Sequence, residues 1–321
     1  MVPVLVYLNI KDDTHKACTG GLFGRLLGRL FDKSDHQQRC LWQFVDKSLQ
    51  LHKAPVLEIL AIELIGPFRC HVDVGKWIAN AVDRRVRELA LVTAWTAVEP
   101  AHLPKSFYTC DTIFNLYLVG NILVDVPSRV FLPSVESFGL YYVLYKDEDS
   151  LFRLLSNCHI LKNLLVKRHH HDNVRNFNIK VPSLESLYYE NVLSGVHNEG
   201  SLVVDSPTLK KFIYSDVSGD YCSIENKPCF DKASIDFISH PDDKFMRSIS
   251  PNLQLFLDVA SAAWCNSINF SKLMECNVTL SAELDWLESL MGLLQNYPNL
   301  KYLYIDQTLI QIEEDFSLSW N

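Results

Sequence analysis

One six-position pattern constrains the fold of this 321-residue chain more than any other feature: an apolar residue, two of any kind, an apolar residue, one of any kind, and a third apolar residue. "LPSVESFGLYYV" (132–143) and "VPSLESLYYENV" (181–192) are near copies of one phrase, and "SPTLKKFIYSDV" (206–217) is a looser one. With any large apolar residue allowed, the pattern falls at Leu57/Leu60/Ile62, Val86/Leu89/Leu91, Ile113/Leu116/Leu118, Val135/Phe138/Leu140, Leu161/Leu164/Val166, Leu184/Leu187/Tyr189 and Leu209/Phe212/Tyr214. Successive starts are 29, 27, 22, 26, 23 and 25 residues apart. A weaker match at Ile235/Phe237, an ambiguous one near Leu253, and two more at Leu273/Cys276/Val278 and Leu300/Leu303/Ile305 bring the total to about ten units.

Two apolar residues separated by one position point to the same face of a short strand. Such a strand buries one face and has no partner of its own, so successive units must stack into a parallel sheet over one continuous core. This predicts an α/β architecture: an irregular leucine-rich-repeat solenoid with a curved parallel sheet on its concave side and helices and loops on its convex side. The stretches 72–84, 147–158 and 281–296 carry apolar residues at helical spacing, for instance Leu151, Leu154, Leu155 and Leu284, Leu287, Leu290, Leu294, with Ser150 and Ser281 expected as caps. "KRHHHDNVRNFNIK" (167–180) and "ENVLSGVHNEGSLVVDS" (190–206) favour irregular loops or a second short strand. The array is assigned to residues 51–310, with 1–50 as an N-terminal capping segment and 311–321 as a separate tail.

Charge and cysteine usage narrow the function classes. A net charge of −8 disfavours a sequence-independent grip on nucleic-acid phosphates, leaving protein as the expected partner. The nine cysteines are odd in number and scattered, which suits reduced thiols in the cytoplasm or nucleus better than a disulfide framework or a zinc site. "MVPVLVYLNI" lacks the basic flank of a signal peptide, and no apolar run has the length of a membrane span.

In a parallel solenoid the residues between the buried apolar positions face the concave sheet. Read along the array they are Ala61, Ala90, Tyr117, Gly139, Leu165, Tyr188, Ile213, Asp236, Asn277 and Tyr304, flanked by Asn115, Tyr141, Lys167, Glu190 and Tyr302. Tyrosine joins a large contact area to a polar tip and is enriched at binding hot spots. The candidate partner-binding residues are therefore Tyr117, Tyr141, Leu165, Lys167, Tyr188, Glu190, Ile213, Tyr302 and Tyr304. The competing reading is that aromatics simply suit strands and are covered by neighbouring loops.

No motif carries chemistry. In "KRHHHD" (167–172), successive side chains of an extended segment point to opposite sides, so His169, His170 and His171 do not converge on a metal, and a solvated polar loop is expected. "TGGLFGRLLGRLF" (19–31) lacks both phosphate-loop glycine patterns and suits an amphipathic helix closing the first repeat, or a basic surface helix. There is no nucleophile elbow, metalloprotease pair or signature cysteine, so no catalytic residue, metal or cofactor is assigned. A metal-dependent enzyme built around His169–Asp172 ranks last.

The phrases "LPSVESFGLYYV", "KDEDSLFRLLSNCHILKNLLVKR", "VPSLESLYYENV" and "SLVVDSPTLKKFIYSDV", extended by residues 44–64 and 103–134, resemble the plant F-box/leucine-rich-repeat proteins that also carry a C-terminal FBD domain. The resemblance covers residues 41 to 321. Members usually open with an F-box, which this sequence does not show; "MVPVLVY" resembles the stretch just after that module, and "FSLSWN" the run-in to the FBD segment. The resemblance implies target selection for an SCF-type ubiquitin ligase, with the ligase adaptor as a partner only if an F-box is supplied upstream. The alternative is a non-ligase repeat scaffold or decoy.

Overall fold

The computed structural model describes residues 5–11, 46–49, 51, 55–65, 73–93, 99–168, 172, 174–191, 200–216, 221–226, 228, 230, 232–237, 253–258, 275–280, 291, 294–295 and 298–307. Among these the apolar alternation builds one twelve-stranded parallel sheet, in the order β1 (Leu5–Lys11), β2 (Ile59–Ile65), β3 (Glu88–Thr93), β5 (Asn115–Gly120), β7 (Ser137–Tyr141), β9 (Asn163–Arg168), β11 (Ser186–Asn191), β13 (Lys211–Asp216), β15 (Lys232–Phe237), β16 (Leu253–Asp258), β17 (Glu275–Leu280) and β18 (Tyr302–Gln307). Its first strand comes from the segment expected as a cap, and the described rungs exceed the ten or so units read from the sequence.

The repeat pattern is a register. From β2 to β13, Leu60, Leu89, Leu116, Phe138, Leu164, Leu187 and Phe212 pair in one row, and Ile62, Leu91, Leu118, Leu140, Val166, Tyr189 and Tyr214 in the next. All fourteen are buried to within 2%. Beyond β13 the frame advances by two residues, because Tyr214 pairs with Ile235, Ile235 with Leu255, Leu255 with Cys276, and Cys276 with Leu303. A two-residue shift preserves the face of every side chain, whereas a one-residue slip would invert it. The final rung departs from expectation: Ile305, read as a core position, is 48% exposed.

The Ser or Thr just before several rungs, after a proline in three cases and after Asp111 in the fourth, has a role in stacking. Thr112 donates its hydroxyl to the Val86 carbonyl at 2.8 Å, Ser134 to that of Asp111 at 2.6 Å, Ser183 to that of Leu161 at 2.9 Å, and Thr208 to that of Pro182 at 2.7 Å. Each hydroxyl reaches back 22 to 26 residues and satisfies a carbonyl of the preceding unit. Glu136–Lys162 at 3.0 Å and Glu185–Lys210 at 2.9 Å add exposed ion pairs between neighbouring rungs.

Return segments cover the other side of the core. Helix α1 (Val74–Asp83) buries Val74, Trp77, Ile78 and Ala81, and its Asp73 cap accepts from the Lys76 amide at 3.3 Å. Helix α2 (Asp149–Leu155) buries Leu151, Leu154 and Leu155 as the spacing predicts. Ser150, expected as its cap, lies instead within the first turn, fully buried, and donates to Asp147 Oδ1 at 2.9 Å. Glu148 accepts the Arg175 and Asn176 amides at 2.9 and 3.3 Å, tying α2 to the strand that comes next in that layer. Second strands form two small parallel sheets: β4 (Ala101–His102), β6 (Ile122–Val124) and β8 (Leu144–Tyr145), then β10 (Asn176–Lys180), β12 (Ser201–Asp205) and β14 (Tyr221–Ile224), of which only β10 and β12 fall in the stretches 167–180 and 190–206 where such a strand is expected. Between the sheets runs an aromatic chain, with ring centroids 5.7 Å apart for Tyr145–Phe177, 5.9 Å for Phe177–Tyr189 and 5.7 Å for Tyr189–Tyr214.

Gly120 closes β5 at φ +95°, where a Cβ would stand 1.8 Å from the Thr93 carbonyl oxygen. Only glycine fits there. The helix read over 19–31, and Ser281 with most of the helix it introduces, lie outside the described residues; within 281–296, Met291, Leu294 and Gln295 are helical, and Leu294 is exposed.

Candidate functional site on the concave face

Pairing places the predicted concave residues in two adjacent lanes. Ala61, Ala90, Tyr117, Gly139, Leu165, Tyr188 and Ile213 occupy one without a break. Tyr141, Lys167 and Glu190 fall in the next, between Val119 and Ser215. A third lane on the other side carries Asn115, Ser137, Asn163 and Ser186, with Asn163 donating to Ser137 Oγ at 3.2 Å. The sheet thus brings Tyr117, Tyr141, Leu165, Lys167, Tyr188, Glu190 and Ile213 onto one face of five consecutive rungs. Tyr302 and Tyr304 are 58% and 52% exposed, but they lie on β18, well beyond β13, and do not join this group.

The cluster is centred on a gap. A Cβ on Gly139 would come within 2.6 Å of Tyr117 Cδ1 and 2.8 Å of Tyr141 Cε2, so both rings lie over a backbone that carries no side chain. Glycine costs a strand packing surface, and here neighbouring aromatics restore it. On the adjoining rungs Lys167 Nζ stands 2.7 Å from Glu190 Oε2 and 5.3 Å from the Tyr188 ring centroid. The Tyr188 hydroxyl donates to the same Glu190 oxygen.

These contacts explain the protonation states. Burial pushes the Glu190 carboxyl up, but the Lys167 and Tyr188 hydrogen bonds and the Lys167 charge outweigh it and leave the group below the usual carboxylate range. Burial likewise pulls Lys167 down, and Glu190 more than reverses this. Tyr188 and Tyr141 are both raised, first by burial and then by Glu190 and Tyr117 respectively. The result is a neutral ion pair set among unionised tyrosines. Lys167 and Glu190, read from the sequence as separate contact residues, serve each other.

A second polar cluster corrects the reading of "KRHHHD". Arg168 and Asp172 are buried, with side chains 3% and 1% exposed, and pair at 2.9 Å. Arg168 also donates to Tyr189 Oη at 3.2 Å and to the Val174 carbonyl, and its guanidinium lies 4.8 Å from the Phe177 ring centroid. Asp172 in turn accepts the Val174 amide at 2.8 Å. Arg168 and Asp172 are anchored in the core because a buried guanidinium needs both a counter-charge and acceptors for its donors. His169, His170 and His171 lie outside the described residues, and the described residues hold no cluster of metal-binding side chains.

Sequence reasoning also missed a lane of polar side chains two positions beyond the second core residue. Thr93, Arg168, Asn191 and Asp216 are all buried there, and Tyr214 donates to Asp216 at 2.8 Å. Cys110, Cys158, Cys222 and Cys276 are free and buried. No described helix is long and apolar enough to cross a membrane.

A stacked parallel sheet of repeating units, with a partly exposed lane that carries two tyrosines, is the architecture of a leucine-rich-repeat protein-interaction module. A family model described as the leucine-rich repeats of the FBD-associated F-box protein At5g56370 matches residues 74–305. Among curated relatives from Arabidopsis thaliana, the provisionally named F-box/FBD/LRR-repeat protein At1g22000 is 45% identical over 316 residues, covering 92% of this chain and 66% of that protein. The provisionally named FBD-associated F-box protein At1g05080 is 42% identical, covering 90% of this chain and 69% of that one. For the F-box/FBD/LRR-repeat protein At5g56420 the identity is 35%, over 90% of this chain and 70% of that protein. The chain belongs to the plant F-box/FBD/LRR-repeat family, and it spans about two thirds of the length of these relatives. No solved structure matches it.

Proposed function

We propose that this chain is the target-recognising part of an SCF-type ubiquitin-ligase F-box protein, and that it docks its target on the lane running from Tyr117 to Ile213. The observation that carries this reading is the lane itself: Tyr117 and Ile213 are 36% and 40% exposed, and Leu165 and Tyr188 are partly exposed between them, in unbroken register. A partly exposed apolar row that includes two tyrosines is the composition of a binding hot spot. The ligase assignment rests on the F-box designation of the relatives. The chain's own part is binding rather than catalysis, in the cytoplasm or nucleus, where its thiols stay reduced.

The test is affinity capture from plant extract with the wild-type chain and with Tyr117→Ala/Tyr188→Ala/Ile213→Ala, both verified as folded. The reading expects a protein captured by the wild type and lost by the variant, ubiquitylated in a reconstituted reaction when the chain is joined to an F-box. A target that is captured through the lane but never ubiquitylated in that reaction would favour the repeat scaffold or decoy. Capture that ignores the triple substitution would sink the docking surface.

A further inference from the structure

From β2 to β13, opposite charges on and beside the strands meet from rung to rung: Glu58 with Arg87 at 4.0 Å, Glu136 with Lys162 at 3.0 Å, Lys167 with Glu190 at 2.7 Å and Glu185 with Lys210 at 2.9 Å. Glu63 on β2 has a partner too. Two residues break the rule. Glu88 on β3 and Lys211 on β13 are both exposed, and among the described residues neither side chain has a charged partner.

Both belong to one lane, which runs Glu88, Asn115, Ser137, Asn163, Ser186, Lys211. It carries an anion at one end, a cation at the other and four uncharged polar residues between them. The neighbouring rungs do not supply the missing charges: Glu88 stands between Ile59 and Asn115, and Lys211 between Ser186 and a second lysine, Lys232. The acidic residue of that outer strand, Asp236, is paired with Ser215, two lanes away. Like charges on adjacent strands weaken a sheet, so fold stability does not account for two lysines side by side.

Five strand spacings of about 4.8 Å separate Glu88 from Lys211, roughly 24 Å in all. An extended chain rises about 3.4 Å per residue and covers that span in about seven residues. Laid along this lane, its unpaired backbone amides and carbonyls meet Asn115, Ser137, Asn163 and Ser186, which offer both donors and acceptors. Its side chains on one side meet the adjoining row that holds Tyr117, Leu165 and Ile213. A helix satisfies its own backbone and makes no use of the polar row. Charges at the ends of such a surface fix register and reject wrong partners more than they add affinity.

We propose that the concave face recognises an extended segment of the target protein that carries a basic and an acidic residue about seven positions apart, the basic one on Glu88, the acidic one on Lys211, with uncharged and largely apolar residues between them. This deepens the docking reading above and rests on it.

The experiment is selection of displayed random peptides of about twelve residues, longer than the span, on the wild-type 321-residue chain and on two variants, Lys211→Glu and Glu88→Lys. The enriched peptides are then measured by fluorescence anisotropy. The wild type is expected to enrich peptides with one basic and one acidic residue at that spacing. Lys211→Glu should weaken these roughly tenfold and enrich peptides with two basic residues instead; Glu88→Lys should weaken them equally and enrich peptides with two acidic ones. Wild-type peptides that lack the charge pair, an absence of enriched peptides, or variants that enrich the same peptides as the wild type overturn the proposal. The variant Tyr117→Ala/Tyr188→Ala/Ile213→Ala separates this failure from that of the docking reading. A target that it loses but both charge variants keep leaves the surface standing without charged ends; a target that all three keep removes the surface as well.

Discussion

Replacing Asp172 with leucine removes the counter-charge of a guanidinium whose side chain is 3% exposed. Arg168 would keep the Tyr189 hydroxyl, the Val174 carbonyl and the Phe177 ring, all of them uncharged. Removing one partner of a buried ion pair costs about 3–5 kcal/mol, a large part of the ~5–15 kcal/mol that stabilises a domain. In a solenoid each unit depends chiefly on its neighbours, so the loss is local first. Hydrogen exchange followed by mass spectrometry should show β9, β10 and β11 losing protection before β3 or β5. The companion variant Arg168→Met/Asp172→Leu removes both charges and should recover most of the loss, because well-packed apolar replacements of a buried pair are often neutral. A single substitution costing less than about 1 kcal/mol, within the range of exposed pairs, would refute the buried network. A double variant no better than the single would show that shape rather than charge is responsible.

Gly120→Ala should cost roughly 1–3 kcal/mol, the scale of a strained backbone site, because its Cβ meets the Thr93 carbonyl oxygen at 1.8 Å; the melting temperature reads this directly. The Lys167–Glu190 pair should respond to acid with a defined sign. Glu190 is depressed in the folded chain, so its contribution is complete above the unfolded value of about 4.3 and disappears as the pH falls through the lower folded value; Glu190→Gln should flatten that part of the stability profile. Burial pushes the Cys158 and Cys276 thiols up to about 12 and raises Cys222 as well. A thiol reagent at neutral pH should therefore label these three only after denaturation, since the thiolate is the reactive form.

Much of the fold was legible because period-two alternation is a strong signal once it recurs at rung spacing. Leu60, Leu116 and Leu187 could be placed in the core from sequence alone, and the central concave lane came from them by elimination. The rest depended on contacts that span rungs. Arg168 looked like a solvated charge because its counter-ion, Asp172, becomes a partner only when the intervening turn folds back. Ser150 looked like a cap because it precedes an apolar run, yet Asp147 supplies the acceptor. Lys167 and Glu190 stand 23 positions apart in sequence, and only the β9–β11 pairing shows them joined. The Ser or Thr one residue before the apolar phrase, at Thr112, Ser134, Ser183 and Thr208, gave a usable signal that was read merely as a turn marker: its recurrence there marks a bond to the previous unit.

The central claim is that the target sits on the face bearing Tyr117, Tyr188 and Ile213. Site-specific photocrosslinking tests it most directly, with a benzophenone amino acid introduced singly at Tyr188 and Ile213 on the concave sheet and at Phe131 and Phe152 elsewhere, the last two being 51% and 45% exposed. The account predicts target adducts from positions 188 and 213 and none from 131 or 152. Adducts from 131 or 152 with silence at 188 and 213 would contradict it.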